Sequence, residues 1–135
     1  MIGKRGFSLV IVLFVSTIIL LLGTAILNMS TSEFLMGRYF RDHTTAYYLA
    51  EGGLQKALAI LKQNPNYKGN STFHPLGEGY YKINISPYGD GIVEITSTGK
   101  VNKAEVSIIA EVSLTTEIEG EVQLDILNWE YEGPI

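Results

Sequence analysis

The sequence predicts an α+β fold in which a long N-terminal helix, embedded in a membrane over its first half, packs on a small antiparallel β-sheet. Three observations carry this prediction. Residues 7–27 form an apolar stretch without a charge. Apolar residues then recur in steps of three and four between residues 46 and 61, as on one face of a helix. From residue 81 onward they alternate with polar residues, as in strands that bury one face.

The apolar stretch is long enough to cross a bilayer. Its 21 residues make a helix of about 31 Å, close to the thickness of the hydrocarbon core. Lys4 and Arg5 precede it, and Glu33 is the first acid after it. We therefore expect a single-pass protein of the cytoplasmic membrane, with its N-terminus in the cytoplasm and the rest outside. A cleaved secretory signal has a shorter apolar core and an Ala-x-Ala site, which this stretch lacks.

The overall composition excludes several classes of function. The chain of 135 residues has a formal net charge of −4 and no cysteine. Without a basic patch, a nucleic-acid partner is not expected. Without cysteine, disulfides, thiolate chemistry and cysteine metal sites are excluded.

No pattern of residues predicts an enzyme. His43 and His74 are the only histidines, and neither forms a metal-ligand spacing with nearby acids. The sequence has no nucleophile elbow, P-loop or dinucleotide-binding fingerprint. We expect no catalytic residues, no metal and no cofactor.

The residues before the apolar stretch form a specific short motif. They read Lys4-Arg5-Gly6-Phe7-Ser8-Leu9-Val10. This segment resembles the leader of type IV pilins and type II secretion pseudopilins, in which a prepilin peptidase cuts after the glycine and methylates the new N-terminal residue. The resemblance implies a leader at residues 1–6, a cut between Gly6 and Phe7, methylation of Phe7, and retention of the helix at residues 7–27 for fibre assembly.

The chain departs from this family at one position. Most members carry Glu at the fifth residue after the cut, where this chain has Ile11. In the family that Glu is thought to pair with the N-terminal ammonium of the adjacent subunit, since an unpaired carboxylate in hydrocarbon is costly. A subunit that starts a fibre has no earlier subunit to pair with. PilX-type minor pilins and the K-type pseudopilin also have an apolar residue there, so the resemblance favours a minor, initiating or tip-proximal subunit. The alternative is that Ile11 belongs to an ordinary anchor helix.

The helical pattern continues outside the membrane over residues 28–63. We expect it to end near Gln63, because Asn64 precedes Pro65 and is pushed out of the helical region. We also expect a melted or kinked segment near residues 30–37. The predicted buried stripe comprises Ala46, Ala50, Leu54, Ala57 and Leu61, flanked by Tyr47, Leu49 and Leu58.

Two glycines interrupt this helix at Gly52 and Gly53. Each costs up to about 1 kcal/mol relative to alanine, so their presence indicates a tight packing contact or a bend. They belong to a run from Arg41 to Leu54 that resembles PilX-type minor pilins, in which an Ala-rich helix carries Ala-Glu, a small residue, Gly and Leu. In this run Glu51 has two interpretations: a polar contact with another subunit or with a loop, and a solvated helix carboxylate.

The headpiece, residues 64–135, is predicted to begin with a loop at residues 68–78, where Gly and Pro are frequent. Three strands of an antiparallel meander follow at residues 81–86, 92–98 and 105–114. Turns are expected at residues 87–91 and 99–103. A helix packed on such a sheet is also the general plan of pilins.

The tail changes its apolar phase at Ile126-Leu127, which predicts a bulge or the end of a fourth strand. From residue 117 onward it has six acids and no base. They form either a contact surface for a partner subunit or a solvated edge strand whose charges deter aggregation. The acids are Glu117, Glu119, Glu121, Asp125, Glu130 and Glu132.

Two functions follow from these features. The first is a minor pilin or pseudopilin of a pilus, competence or secretion fibre, with prepilin peptidase, other pilins and the membrane as partners. Its helix would leave the bilayer to join the fibre. The second is a binding or sensing module that the same helix anchors without polymerisation.

Overall fold

The computed structural model describes residues 3–116 and 122–133. They form one helix and a five-stranded sheet, so the predicted α+β fold is confirmed. The strands lie in chain order, and every neighbouring pair is antiparallel. The elements are α1 (Gly3–Gln63), β1 (Gly69–Leu76), β2 (Gly79–Gly89), β3 (Ile92–Val101), β4 (Ala104–Thr116) and β5 (Val122–Glu132). Arg38 ends a first compact unit, and Tyr39 begins a second.

The helix is continuous, and the expected kink at residues 30–37 is wrong. The segment contains no proline, and the hydroxyl of Thr31 donates to the carbonyl of Leu27 at 2.9 Å, within the same helix. Nothing therefore breaks the i to i−4 bonding. The predicted end at Gln63 is confirmed: the amide of Asn64 closes the last turn on the carbonyl of Ile60 at 2.7 Å.

The second unit has one apolar core between α1 and the inner face of the sheet. The predicted helix stripe is buried as expected, and Tyr47 and Leu58 are half-buried at its margins. The alternation of β2 to β4 places their apolar side chains against this stripe. The buried apolar residues are Ala46, Leu49, Ala50, Leu54, Ala57, Leu61, Tyr81, Ile83, Ile85, Ile95, Val101, Ala104, Val106, Ile108, Ala110 and Val112.

Small residues set how closely α1 approaches β3. A Cβ at Gly99 would lie 2.6 Å from the backbone nitrogen of Ala50 and would also meet the carbonyl of Ala46. The expected turn at residues 99–103 is therefore too long, because β3 continues to Val101 beneath the helix. Since real Cβ atoms do not approach backbone so closely, only glycine fits under the helix at this point.

The two helical glycines differ in their surroundings. A Cβ at Gly53 would meet the hydroxyl of Ser97 and lie 3.2 Å from the ring of Tyr81. A Cβ at Gly52 would have nothing within 4 Å. The tight packing contact predicted for this pair is thus at Gly53, and α1 continues through both residues.

The expected loop at residues 68–78 is wrong, because Gly69–Leu76 is strand β1, paired with β2. Gly69 has φ +83°, and a Cβ there would lie 3.1 Å from the Cα of Asn84. Asn70 Oδ1 accepts a hydrogen bond from the amide of Ile83 at 3.1 Å. None of the β1 residues is buried, so no apolar alternation marks the strand in the sequence. Pro75 is tolerated because β1 is at the edge of the sheet.

The tail forms the opposite edge strand, β5. Glu111 pairs with Asn128 and Val112 pairs with Ile126, which leaves Leu127 as the extra residue of a bulge. The predicted phase shift is therefore a bulge within a strand that continues to Glu132. Asp125, Glu130 and Glu132 are exposed on β5, as expected for a solvated edge. Glu117, Glu119 and Glu121 lie outside the described residues.

Candidate functional site

The first candidate surface is the apolar part of α1 before Arg38. Every large apolar side chain from Phe7 to Leu27 is at least 40% exposed. The helix is long and apolar enough to cross a membrane, with a mean hydropathy of 2.9 over its best window, by length and composition alone. Such a surface is compatible with lipid or with other apolar helices.

The threonine hydroxyls of this segment bond within the helix. Thr17 Oγ1 donates to the carbonyl of Leu13 at 2.8 Å, and Thr24 Oγ1 donates to the carbonyl of Leu21 at 2.9 Å. Polar groups satisfied in this way can enter hydrocarbon at low cost. These two threonines therefore do not oppose membrane insertion.

The residues of the predicted processing site follow one another on α1. Gly6 and Phe7 are exposed helix residues, and a Cβ at Gly6 would have nothing within 4 Å. Lys4 and Arg5 belong to the first turns of the helix. Ile11 is 47% exposed on the apolar surface, at the position where most type IV pilins carry Glu. The roles of these residues stay predictions.

Glu51 is half-buried on α1. Within residues 3–116 and 122–133, its carboxylate has neither a hydrogen bond nor an ion pair. A polar contact between helix and turn does exist in the second unit, and it is made by Asp42. This buried carboxylate accepts a 2.8 Å hydrogen bond from Asn102 Nδ2 in the β3–β4 turn. The inter-subunit role of Glu51 stays a prediction.

Sequence reasoning did not assign this role to Asp42. One signal was available: Asp42 lies four residues before Ala46 and so continues the buried stripe with a charged residue. A carboxylate on a buried face requires a partner. The sequence did not reveal that partner because Asn102 is sixty residues away.

The second candidate surface is a groove between α1 and β5, hereafter the α1–β5 groove. Trp129 pairs with Ala110 and Tyr131 with Ile108. Paired residues of neighbouring strands point to the same face, so these aromatic side chains lie on the side of the sheet that faces α1. They remain 57% and 41% exposed, although Tyr131 contacts His43 and Tyr47 of α1.

This groove has two hollows. The aromatic hollow has a volume of about 370 Å³ and is lined by His43, Thr44, Tyr47, Tyr48, Trp129 and Tyr131. The aliphatic hollow has a volume of about 260 Å³ and is lined by Gln55, Leu58, Ala59, Lys62, Leu124 and Ile126. Each hollow thus has one wall from α1 and one from β5.

The two histidines lie in different parts of the second unit. His43 Nε2 is 3.1 Å from the hydroxyl of Tyr131, and His74 Nε2 is 3.4 Å from the hydroxyl of Thr72. Among the described residues, no group of three or more His, Cys, Asp or Glu is arranged to hold a metal ion. Their contacts are aromatic and hydroxyl contacts, as in ordinary surface packing.

Comparison with known families gives the decisive observation. Residues 5–55 match the family model described as PilX N-terminal. By this match, the N-terminal part of the chain is similar to that of the PilX-type minor pilins. The resemblance that the leader and the run from Arg41 to Leu54 carry is therefore confirmed.

The family match is confined to the helix. It covers α1 from Arg5 to Gln55 and stops before the sheet. No curated protein and no solved structure matches the chain. The match supports a role related to type IV pili with other pilins as partners, and the apolar helix fits a membrane anchor.

Proposed function

We propose that this protein is a PilX-type pilin, a structural subunit without enzyme activity that helps to initiate or cap the assembly of a type IV pilus-like fibre. The observation that carries the proposal is the exposed, uncharged surface of α1 with Ile11 in place of the Glu of most type IV pilins. An ordinary subunit within the fibre carries Glu at that position and pairs it with the N-terminal ammonium of the adjacent subunit. A subunit at the start of the fibre has no earlier subunit to pair with and therefore does not need this Glu.

The first step is processing at the membrane. Prepilin peptidase removes residues 1–6 on the cytoplasmic side and methylates Phe7. Lys4 and Arg5 keep this end in the cytoplasm before the cut, and the rest of the chain is extracytoplasmic. Because the cut precedes the apolar stretch, the helix stays in the mature subunit.

The second step is transfer from lipid to the fibre. Lipid tails are as apolar as the side chains from Phe7 to Leu27, so the hydrophobic effect does not drive this exchange. Close packing between the helices of neighbouring subunits drives the exchange. The intrahelical bonds of Thr17 and Thr24 remain intact in either environment, so the transfer exposes no new polar group.

The proposal is tested on fibres sheared from cells that carry the native assembly machinery. Quantitative mass spectrometry should find the mature chain at a small fraction of the major subunit. Deletion of the chain should reduce the number of fibres and leave their composition otherwise unchanged. If the chain is the main component, the minor role is wrong. If it is absent from fibres and its deletion leaves their number unchanged, the protein is a non-polymerising anchored module.

A further inference from the structure

We propose that the α1–β5 groove is the docking site for an apolar, basic segment of a different subunit of the same fibre. This inference rests on the proposed function and adds the chemistry of the partner. The groove differs from the apolar surface of the membrane helix, since both of its walls lie in the second unit. It is also outside the part of α1 that anchors the protein.

The first argument is the amount of aromatic surface that the fold leaves uncovered. Tyr48, Trp129 and Tyr131 are 65%, 57% and 41% exposed around one hollow. Their neighbours hold them in place: the rings of Tyr47 and Tyr131 are 5.8 Å apart, and those of Tyr47 and Tyr48 are 5.7 Å apart. Rigid Tyr and Trp side chains lose little entropy on binding, and for this reason they dominate the energies of protein interfaces.

The second argument is the position of Glu51. It lies one helical turn from both Tyr47 and Gln55, which line the aromatic and the aliphatic hollow respectively. Glu51 is therefore on the helix face that borders the groove, between its two halves. Its half-buried carboxylate has no cationic partner within residues 3–116 and 122–133. A cation on a docked segment would supply one.

The third argument is the charge of the second unit. From Tyr39 onward the sequence has seven Lys and Arg against thirteen Asp and Glu. Asp125, Glu130 and Glu132 are exposed on the opposite face of β5, so they add to the acidic field of the unit and do not line the groove. Complementary charge increases association rates and selects partners, so a basic segment is favoured.

The same charge disfavours two other occupants. A second copy would bring an equal excess of acid to the contact. An anionic lipid surface would be repelled by the net negative charge of the second unit, although Tyr and Trp are frequent at membrane interfaces. A segment with aliphatic or aromatic side chains and at least one Lys or Arg fits all three features of the groove.

The experiment is site-specific photocrosslinking of the full-length chain in cells that assemble fibres. Benzoylphenylalanine replaces Tyr48 in the groove and, as the matched control, Tyr88, which is 61% exposed at the end of β2. We expect an adduct at Tyr48 with a peptide of another fibre subunit that contains Lys or Arg, with a yield at least about tenfold above that at Tyr88. An adduct with a second copy or with lipid, or no excess over Tyr88, would overturn the inference.

Point variants then test the residues of the groove, with the probe kept at Tyr48. Trp129→Ala should reduce the adduct about tenfold or more, as for a truncated interface anchor, and Glu51→Gln should reduce it severalfold. Thr72→Ala and Glu78→Gln, on the exposed β1 side of the sheet, are the controls and should leave the yield unchanged. Equal yields in groove and control variants would contradict the inference.

The fluorescence of Trp129 cannot report folding in Trp129→Ala, so protection of the second unit from proteolysis shows that each variant is folded. Fibres that contain the wild-type chain but give no Tyr48 adduct overturn the docking site and leave the proposed function intact. Absence of the wild-type chain from fibres, together with an unchanged number of fibres after its deletion, overturns the proposed function and this inference together.

Discussion

The side-chain amide of Asn102 donates a 2.8 Å hydrogen bond to the carboxylate of Asp42, sixty residues earlier in the chain. Asp42 is buried on α1, and Asn102 occupies the β3–β4 turn with φ 52°. The bond therefore joins the first turn of α1 within the second unit to the turn that connects β3 and β4. Asn102 is suited to its position because it tolerates the left-handed conformation and also donates the bond. Asp42 is suited to its position because its carboxylate accepts that bond.

Replacement of Asn102 separates these two contributions. Asn102→Gly keeps the left-handed conformation and loses the hydrogen bond, so it should lower the free energy of unfolding by about 2 kcal/mol. Asn102→Ala loses both and should cost about 1 kcal/mol more. The measurement is denaturant unfolding of the full chain in detergent, followed by the fluorescence of Trp129, the single tryptophan. Equal costs for the two variants would contradict the conformational part of this argument.

Gly99 should be the least replaceable glycine of the sheet. Gly99→Ala places a Cβ against the backbone of Ala46 and Ala50, and the helix must shift away, at a cost of about 3 kcal/mol. Gly52→Ala is the matched control, because it has open space and gains up to about 1 kcal/mol of helix propensity. The midpoint temperature of thermal unfolding should thus fall for Gly99→Ala and rise for Gly52→Ala. A Gly99→Ala variant as stable as the wild type would show that α1 does not approach β3 so closely.

Gly53 and Ser97 should behave as a coupled pair. The hydroxyl of Ser97 is buried without a hydrogen-bond partner in the part of the chain that the structure describes, so Ser97→Ala should stabilise the fold by about 1 kcal/mol. Gly53→Ala alone should destabilise it, since the new Cβ meets that hydroxyl. In the double variant the obstruction is removed, and the helix propensity of alanine should recover much of the loss. A double-mutant cycle with an interaction energy near zero would refute this coupling.

The hydrogen bond from Lys56 Nζ to the hydroxyl of Tyr81, 2.6 Å long, should give a pH dependence. It raises the pKa of Lys56 from the ordinary 10.5. Because the pKa is raised in the folded state, the bond contributes its whole stabilisation at pH values below 10.5. This contribution is lost as the pH rises through the pKa of the folded state. Tyr81→Phe keeps the ring, 5.2 Å from Nζ, and removes the acceptor. NMR titration of the Lys56 side chain should show a lower pKa in Tyr81→Phe than in the wild type; the same pKa in both would refute the assignment.

The sequence predicted those parts of the fold where burial imposes a period. The stripe from Ala46 to Leu61 and the alternation of β2 to β4 are visible because each buries one face. Strand β1 was missed because none of its residues is buried, and only backbone pairing with β2 defines it. Gly99 was read as a turn because its role depends on Ala46, which is distant in sequence.

The candidate surfaces were predictable to different degrees. The apolar helix and the leader motif are local, and the family match begins at Arg5 and covers the rest of the motif and the helix to Gln55. The α1–β5 groove depends on where β5 lies in the sheet, since Trp129 and Tyr131 alternate like core residues but remain exposed. Local patterns cannot show which element covers a strand, so the groove required the structure.

The central claim is tested most directly by the mass of the mature protein. We would express the full chain with an active prepilin peptidase and measure the intact mass and the N-terminal residue, with Gly6→Ala as the uncleavable control. The account predicts a chain that lacks residues 1–6 and begins with a methylated Phe7, with the apolar helix retained, whereas Gly6→Ala stays uncut. A wild-type chain that still begins at Met1 in the presence of the peptidase, or one that has lost the helix altogether, would contradict it.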